Sequence, residues 1–470
     1  MLFNSWEFAL FLPAVLAAYY MLAHRAQNRL LLAASYVFYG WWDYRFVTLL
    51  AFSTTFDFYL ARRIDATEDR RRRKRLLVLS CVSNLTLLGV FKYFNFFTDS
   101  FAAAAAALGV PLDMPTLRII LPVGISFYTF QSLSYIVDVY RRDLRATGSL
   151  VDFALFVSFF PHLVAGPIVR ATKLLPQIQM RRAITWDHLS SGVVLILIGL
   201  FRKVAIADTV APFVNEVFAR PGTESTANLV IGVYLFAIQI YCDFAGYSEM
   251  ARGIARLFGI ELSENFQQPY FSTSITEFWR RWHISLSTWL RDYLYIPLGG
   301  NRHGAAATYR NLMLTMLLGG LWHGANWTFV VWGALHGAYL AGHKLLLGDR
   351  RDARADAGGF GLRAAAGLAI TLHLVCIAWI FFRAETFGQA WQYLAGIASL
   401  RGAPRADLIA VLAAALFMLV PLDLAQRKVR TSTPVLAWPW PVRAAVYAAM
   451  VLAMFALRTD ESIPFIYFQF

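Results

Sequence analysis

The chain has 470 residues, of which 58% are hydrophobic, 16% are aromatic and only 15% are charged, and its net charge is +14. A soluble domain is about 45–50% apolar and about 25% charged, so this composition excludes a string of soluble domains, a disordered chain and a collagen-like repeat. An excess of Lys and Arg on such an apolar chain is typical of cytoplasmic loops that face lipid headgroups, and we expect no binding to nucleic acid. The composition predicts an all-α polytopic membrane protein with a single domain over residues 1–470.

The first apolar segment runs from Phe8 to Leu22. A cleavable signal peptide carries basic residues ahead of its apolar run, and Met1–Glu7 has none. This pattern predicts an uncleaved transmembrane helix at the start of the chain.

Further apolar segments follow at close intervals along the whole chain. About 20 helical residues cross the hydrocarbon layer of a bilayer, and slightly shorter segments suffice where the bilayer thins. We predict about 11–13 transmembrane helices plus re-entrant segments. The candidate spans are 7–23, 30–41, 46–61, 76–97, 117–139, 190–211, 227–247, 310–328, 329–347, 364–382, 406–425 and 442–458, and a shorter apolar segment lies at 387–400.

The distribution of basic residues predicts the orientation of these spans. The run Arg70–Arg75 follows the third span and should form a cytoplasmic loop. Arg141, Arg142 and Arg145 mark a second cytoplasmic loop, whereas the 98–116 loop lacks Lys and Arg and should be external. The same count places Met1–Glu7 and the tail Ser462–Phe470 on the outer side.

The apolar segment 151–168 breaks this alternation. Pro161, Gly166 and Pro167 interrupt it, and basic residues precede and follow it, so both of its flanks prefer the cytoplasm. A re-entrant hairpin satisfies both flanks, provided that the protein buries it.

Several other polar groups in apolar surroundings are expected to be structural. Asp243 and Glu249 flank the residues 244–248 at the end of a span, and we favour salt bridges for both. The three cysteines show no metal-binding spacing and are expected to fill apolar space; they are Cys81, Cys242 and Cys376.

The segment 274–294 mixes charged residues with tryptophans and is too polar for a helix that faces lipid. Ser274 or Thr276 is a suitable N-cap for a helix here, and Glu277 supplies an acidic first turn. His283 is expected in the middle of that helix. The segment either lies in the interfacial plane, with its arginines on headgroups, or lines a cavity of the protein.

A second motif, Gly-Gly-Leu-Trp-His-Gly-Ala-Asn-Trp at 319–327, places His323 in an apolar stretch. An ionisable group inside a membrane is a functional candidate because an unpaired polar group is costly there, and imidazole is a base suited to neutral pH. The flanking glycines permit close approach to the backbone, and Asn326 is expected to orient a ligand carbonyl. Packing against a neighbouring helix is the alternative for His323 and the favoured explanation for His336 and His343.

The sequence contains no His-Glu-x-x-His or paired-cysteine spacing, so no metal site is expected. Residues 465–470 read Phe-Ile-Tyr-Phe-Gln-Phe. These aromatic residues suit a membrane-interface belt, but the hydroxyl group of Tyr467 is equally suited to reach into a cavity.

Four stretches together resemble the membrane-bound O-acyltransferase superfamily, in particular its bacterial alginate O-acetyltransferase type. They are 161–167, 274–300, 322–327 and 465–470. The resemblance implies a bowl of helices around a thin central layer, with a tunnel for acyl transfer. It implies catalytic roles for His323 and His283, and we expect the tunnel to be lined by Trp279, Trp282, Trp322, Asn326, Arg291 and Asp292.

The resemblance also implies a reaction. Acetyl-CoA would be the donor substrate, with no bound cofactor, and the acetyl group would cross a bacterial inner membrane to an extracytoplasmic polysaccharide. A periplasmic or membrane-anchored O-acetyltransferase is the expected partner beside membrane lipid, and Tyr467 is a candidate acyl carrier. A transporter of lipid or polysaccharide, without covalent chemistry, and an acceptor that is peptidoglycan or lipid remain the alternatives.

Overall fold

The computed structural model describes residues 1–117, 120–347, 361–458 and 463–466, and every regular element in these ranges is helical, as predicted. The α-helices are α1 Trp6–Tyr20, α2 His24–Gly40, α3 Arg45–Ala66, α4 Arg70–Leu88, α5 Phe94–Ala107, α6 Ile125–Arg141, α7 Leu150–Ser158, α8 Phe160–Leu163, α9 Ala171–Gln179, α10 Trp186–Leu200, α11 Asp208–Ala219, α12 Thr226–Leu257, α13 Ile275–Arg281, α14 Ile284–Leu290, α15 Gly304–His323, α16 Trp327–Leu347, α17 Leu362–Arg383, α18 Phe387–Ala398, α19 Ala406–Val429 and α20 Trp440–Ala456. Short π-helical segments lie at Gly89–Tyr93, Phe201–Ala207 and Arg291–Tyr295.

Five helical runs within the described ranges are long and apolar enough to cross a membrane, which confirms a multi-pass membrane protein. They are Arg70–Ala107, Trp186–Ala219, Thr226–Leu257, Leu362–Arg383 and Ala406–Val429. In the 18-residue apolar stretch of α12, 83% of the residues are buried, so this helix packs within protein. In the corresponding stretch of Arg70–Ala107 only 22% are buried, so that run exposes most of its side chains. The number of crossings, about 11–13, stays a prediction.

Contacts divide the chain into two compact units, residues 1–193 with 251–263, and residues 194–250 with 264–470. The single domain predicted over residues 1–470 stays a prediction. All the residues that form the candidate site described below belong to the second unit.

In the first unit, the predicted re-entrant segment is deeply buried. α7 ends at Ser158 and α8 begins at Phe160, with Pro161 in its first turn, where a missing N–H costs little. Residues 153–169 are all buried, so the protein meets the condition that a re-entrant hairpin requires. Its path relative to the membrane remains a prediction.

The basic run Arg70–Arg75 forms the first turns of α4 and not a loop. The side chain of Asp69 caps the helix by accepting a hydrogen bond from the N–H of Arg71. The run Arg70–Ala107 has 38 residues. At about 1.5 Å per residue it is longer than the hydrocarbon layer is thick, so its charged start has room to lie outside that layer.

In the second unit, two buried cations occupy the π-helical segment Phe201–Ala207. Arg202 lies 3.2 Å from Glu249 and 2.8 Å from Asp423, and Lys203 lies 2.8 Å from Asp243. The expected salt bridges of Asp243 and Glu249 are therefore confirmed, with partners that the sequence analysis did not identify. All three cysteines are free, and Cys242 and Cys376 are buried.

Candidate active site

The predicted helix over 274–294 is broken at His283, so the prediction of a histidine in mid-helix was wrong. α13 begins as expected, with the Ser274 hydroxyl accepting a hydrogen bond from the N–H of Glu277 at 3.1 Å. It ends at Arg281, and α14 begins at Ile284. His283 has a φ of +42°, in the left-handed region that a residue with a side chain seldom adopts.

Asn265 stabilises this break and orients the His283 ring. The carbonyl of Asn265 accepts a hydrogen bond from the N–H of Ile284 at 2.9 Å, and its side-chain Oδ1 lies 3.1 Å from Nδ1 of His283. The N–H of Ser285 donates to the same atom at 3.2 Å, which identifies it as the amide oxygen Oδ1, and Nδ2 donates to Oγ of Ser248 at 3.1 Å. The neutral His283 ring therefore carries its proton on Nδ1, and Nε2 holds the lone pair that a base needs.

His323 is the last residue of α15 and is only 5% exposed. Its ring centroid lies 5.0 Å from that of Trp322, 5.0 Å from that of Trp332 and 5.3 Å from that of Phe382. The centroids of His323 and His283 are 6.5 Å apart. The two histidines that the sequence motifs single out therefore share one buried aromatic cluster.

This arrangement suits proton transfer away from bulk water. A neutral imidazole accepts a proton from a hydroxyl group, and the carbonyl end of α15 stabilises the cation that results. Within the described ranges no group of three or more His, Cys, Asp or Glu side chains is arranged to hold a metal ion.

Known proteins resemble the chain over its whole length. The model of the membrane-bound O-acyltransferase family matches residues 141–355. Aligned over 510 positions, the chain is 43% identical to the probable alginate O-acetylase AlgI of Azotobacter vinelandii, and the alignment covers 100% of both chains. It is 48% identical over 400 residues to the probable alginate O-acetylase AlgI of Pseudomonas aeruginosa, with 83% of this chain and 74% of that one covered. The chain belongs to the membrane-bound O-acyltransferase family.

Membership in this family makes the protein an acyltransferase, as the motifs predicted, and not a transporter without covalent chemistry. A third relative is named for a different acceptor. The peptidoglycan O-acetyltransferase of Helicobacter pylori is 36% identical over 434 residues, which cover 86% of this chain and 80% of that one.

The tryptophans predicted to line a tunnel in this membrane-bound O-acyltransferase lie in or beside the histidine cluster. Trp322 is 5% exposed, and its ring centroid is 6.1 Å from that of His283. Trp282 is 1% exposed and stacks on Phe278. Trp279 donates from Nε1 to Nδ1 of His336 at 3.3 Å. His336 is thus used in packing, as expected.

Three other predicted lining residues, Asn326, Arg291 and Asp292, contact groups of the protein itself. Nδ2 of Asn326 donates to the carbonyl of Glu385 at 2.8 Å, and Oδ1 accepts from the N–H of Thr328 at 3.1 Å, so this side chain closes the turn into α16. Arg291 pairs with Asp292 at 2.6 Å and exposes 61% of its side chain. A place for these two residues in the tunnel stays a prediction.

Two of the glycines beside His323 in the acyltransferase admit the close approach of Phe329, through its main chain at Gly320 and its ring at Gly324. A Cβ on Gly324 would lie 2.1 Å from Cε2 of Phe329, and one on Gly320 would lie 2.2 Å from the carbonyl oxygen of Phe329. At these two glycines the close approach that the sequence predicted is made by Phe329 of the protein itself.

The proposed acyl carrier Tyr467 lies outside the described residues, as do Ser462 and 468–470. The adjoining Phe465 is described and is 2% exposed, and its ring centroid is 5.9 Å from that of Phe244. Phe244 in turn lies 4.6 Å from His283. The described end of the tail therefore packs beside the histidine cluster.

Sequence analysis missed Asn265 and Phe244 as members of this cluster. Asn265 stands in a polar stretch without a motif of its own, and Phe244 is one of many aromatic residues in apolar segments. The one local signal was the position of Phe244 next to Asp243, a charged residue within a predicted span.

Proposed function

We propose that this acyltransferase moves an acetyl group from cytoplasmic acetyl-CoA across a bacterial inner membrane for O-acetylation of an extracytoplasmic polysaccharide of the alginate type. The observation that carries the proposal is the buried cluster in which the ring centroids of His283 and His323 are 6.5 Å apart. Similarity to the two alginate O-acetylases, over the full length of the Azotobacter vinelandii protein and 74% of the Pseudomonas aeruginosa one, supports the choice of acetyl group and polymer.

In the proposed reaction His323 is the general base. It takes the proton from an attacking hydroxyl group while the hydroxyl oxygen forms a bond to the thioester carbon. The carbon–sulfur bond then breaks, and the proton passes from His323 to the leaving thiolate of CoA. The aromatic side chains of Trp322, Trp332 and Phe382 exclude water, which limits hydrolysis of the thioester.

His283 is proposed to assist by orienting the hydroxyl group through Nε2. The hydrogen bond from Nδ1 of His283 to Asn265 supports this role, because it sets both the tautomer and the orientation of the ring. The Asn265 side chain also accepts a hydrogen bond from the Ser285 hydroxyl at 2.8 Å. Asn265 is therefore a positioning residue.

Replacing Asn265 with alanine is expected to lower acetyl transfer by about 10²-fold, because a misplacement of about 1 Å in a reacting group can cost that much. The matched variant is Asn265→Asp, which keeps an oxygen opposite Nδ1 of His283 and should retain more activity than Asn265→Ala. Initial rates of label transfer from acetyl-CoA measure both. Equal losses in the two variants would argue against a positioning role.

Tyr467 is proposed to carry the acetyl group between the two faces. In the first step the Tyr467 oxygen attacks the thioester and releases CoA, and in the second a sugar hydroxyl takes the acetyl group and restores the phenol. A periplasmic or membrane-anchored partner O-acetyltransferase is proposed to complete the second step.

This scheme needs the orientation in which Met1–Glu7 and Ser462–Phe470 are periplasmic and Arg70–Arg75 is cytoplasmic. A single cysteine introduced at Arg72 in a chain freed of its own cysteines should react with an impermeant maleimide only after the membrane is opened. A cysteine introduced at Ser5 should react in intact spheroplasts. Reaction of the first cysteine from outside would overturn the orientation.

The activity is tested with membranes that contain the protein and acetyl-CoA labelled in its acetyl group. We expect release of free CoA and label in the extracytoplasmic polysaccharide. The similarity to the Helicobacter pylori enzyme favours peptidoglycan as the second candidate acceptor. Label in the peptidoglycan fraction, and not in the polysaccharide, would identify peptidoglycan as the acceptor. Membranes that release no CoA and retain no label would overturn the proposed function.

A further inference from the structure

A buried lysine with two carboxylates lies next to the histidine cluster in the second unit. Lys203 Nζ is 2.7 Å from Oδ1 of Asp208 and 2.8 Å from Oδ1 of Asp243. The exposed fractions of the three side chains are 6%, 11% and 4%. We call these residues the Lys203 cluster. Ionisable groups within a membrane span are costly to bury, which makes a functional role the first hypothesis for them.

The Lys203 cluster binds the main chain of the described tail residues 463–466. Oδ2 of Asp243 accepts a hydrogen bond from the N–H of Ile466 at 2.6 Å, and Nζ of Lys203 donates to the carbonyl of Ile463 at 3.3 Å. Charge-assisted hydrogen bonds of this kind are about twice as strong as neutral ones. Both contacts are to backbone atoms, so they fix the path of the chain.

The side chains of the tail complete the contact. Phe465 is 2% exposed and Ile466 is 1% exposed. The ring centroid of Phe465 lies 4.9 Å from that of Tyr247, and Asp243 is followed in α12 by Phe244, whose ring contacts His283. The carboxylate that holds the tail and the ring that packs on the histidine are thus neighbours on one rigid helix.

We propose that Lys203 and Asp243 are positioning residues that dock the tail main chain and so place the residue after Ile466 for acyl transfer. This inference rests on the proposed function in assigning a purpose to the docking. The two hydrogen bonds hold the tail main chain at Ile463 and Ile466, directly before Tyr467 in the sequence. Without the docking, the tail would have to be ordered in every catalytic cycle.

The test measures amide hydrogen exchange in the C-terminal peptide of the full-length protein in detergent, read by mass spectrometry with fragmentation to single residues. In the natural protein we expect the Ile466 amide to be protected. In Asp243→Ala its exchange should speed up at least about tenfold, because its acceptor is gone. In Asp243→Asn, which keeps an oxygen acceptor, part of the protection should remain.

The matched control is Asp423→Ala. Asp423 is 3% exposed and pairs with Arg202, the residue next to Lys203, and no described contact joins it to the tail. We expect its loss to lower the unfolding temperature as much as Asp243→Ala does while leaving Ile466 protected. Equal exchange at Ile466 in Asp423→Ala and Asp243→Ala would overturn the docking, and so would an unprotected Ile466 amide in the natural protein.

The acetylation assay separates this inference from the proposed function. If Asp243→Ala frees the tail and polysaccharide acetylation falls as well, the docking by Asp243 and its purpose in acyl transfer are both supported. If the tail is freed and acetylation is unchanged, the docking by Asp243 is supported but its purpose in acyl transfer is overturned. If the natural protein transfers no acetyl group, the proposed function fails, while protection of Ile466 still supports the docking.

Discussion

Alanine in place of His323 is expected to reduce acetyl transfer by about 10²–10⁴-fold, the usual effect of losing a general base. The ring contacts those of Trp332 and Phe382 at the carbonyl end of α15, where it can take a proton and the helix stabilises the resulting cation. Release of CoA and label in polysaccharide should fall together, because the base acts before either product forms. Labelled acetyl-CoA with membranes gives both rates.

The alanine also leaves a cavity in an aromatic cluster, so a loss of folding must be told apart from a loss of the base. His323→Gln fills more of the space without providing a base of similar strength, and it should be as inactive as His323→Ala. His343→Ala is the matched control, since His343 contacts Thr276 at 3.2 Å and has no part in the proposed chemistry. Near-normal transfer by a folded His323→Gln protein would remove the assignment.

Phenylalanine in place of Tyr467 is expected to abolish polysaccharide acetylation almost completely while acetyl-CoA still binds. The change removes one hydroxyl group and keeps the ring. A phenol has a pKa of about 10, so phenolate leaves an ester far more easily than an alkoxide does, and a tyrosine ester is a reactive acyl donor. Trapping of a labelled, base-labile C-terminal peptide would detect the intermediate directly.

The alternative for Tyr467 is an anchor in an interfacial aromatic belt, which should tolerate Tyr467→Phe with little loss. Tyr44→Phe provides the control, because Tyr44 is 78% exposed just before α3 and suits such a belt. Both variants should be inserted equally well. Full polysaccharide acetylation by Tyr467→Phe would eliminate the carrier role and leave the tail with a structural one.

The sequence by itself determined the helices and the class of the protein. The predicted spans 364–382 and 406–425 correspond to Leu362–Arg383 and Ala406–Val429. The agreement is close because lipid forces each crossing to satisfy its backbone hydrogen bonds within one apolar helix, so the signal is contiguous in the chain. The motif around His323 was recognisable because its residues are likewise consecutive in the chain.

Only the tertiary structure decided how these pieces form a site. The left-handed turn at His283 depends on Asn265, and the glycine beside His323 proved to admit Phe329. Lys203 meets Asp243 and the main chain of Ile466 through contacts between distant parts of the chain. Such contacts follow from packing in three dimensions and leave no periodicity, so no local pattern in the sequence reports them.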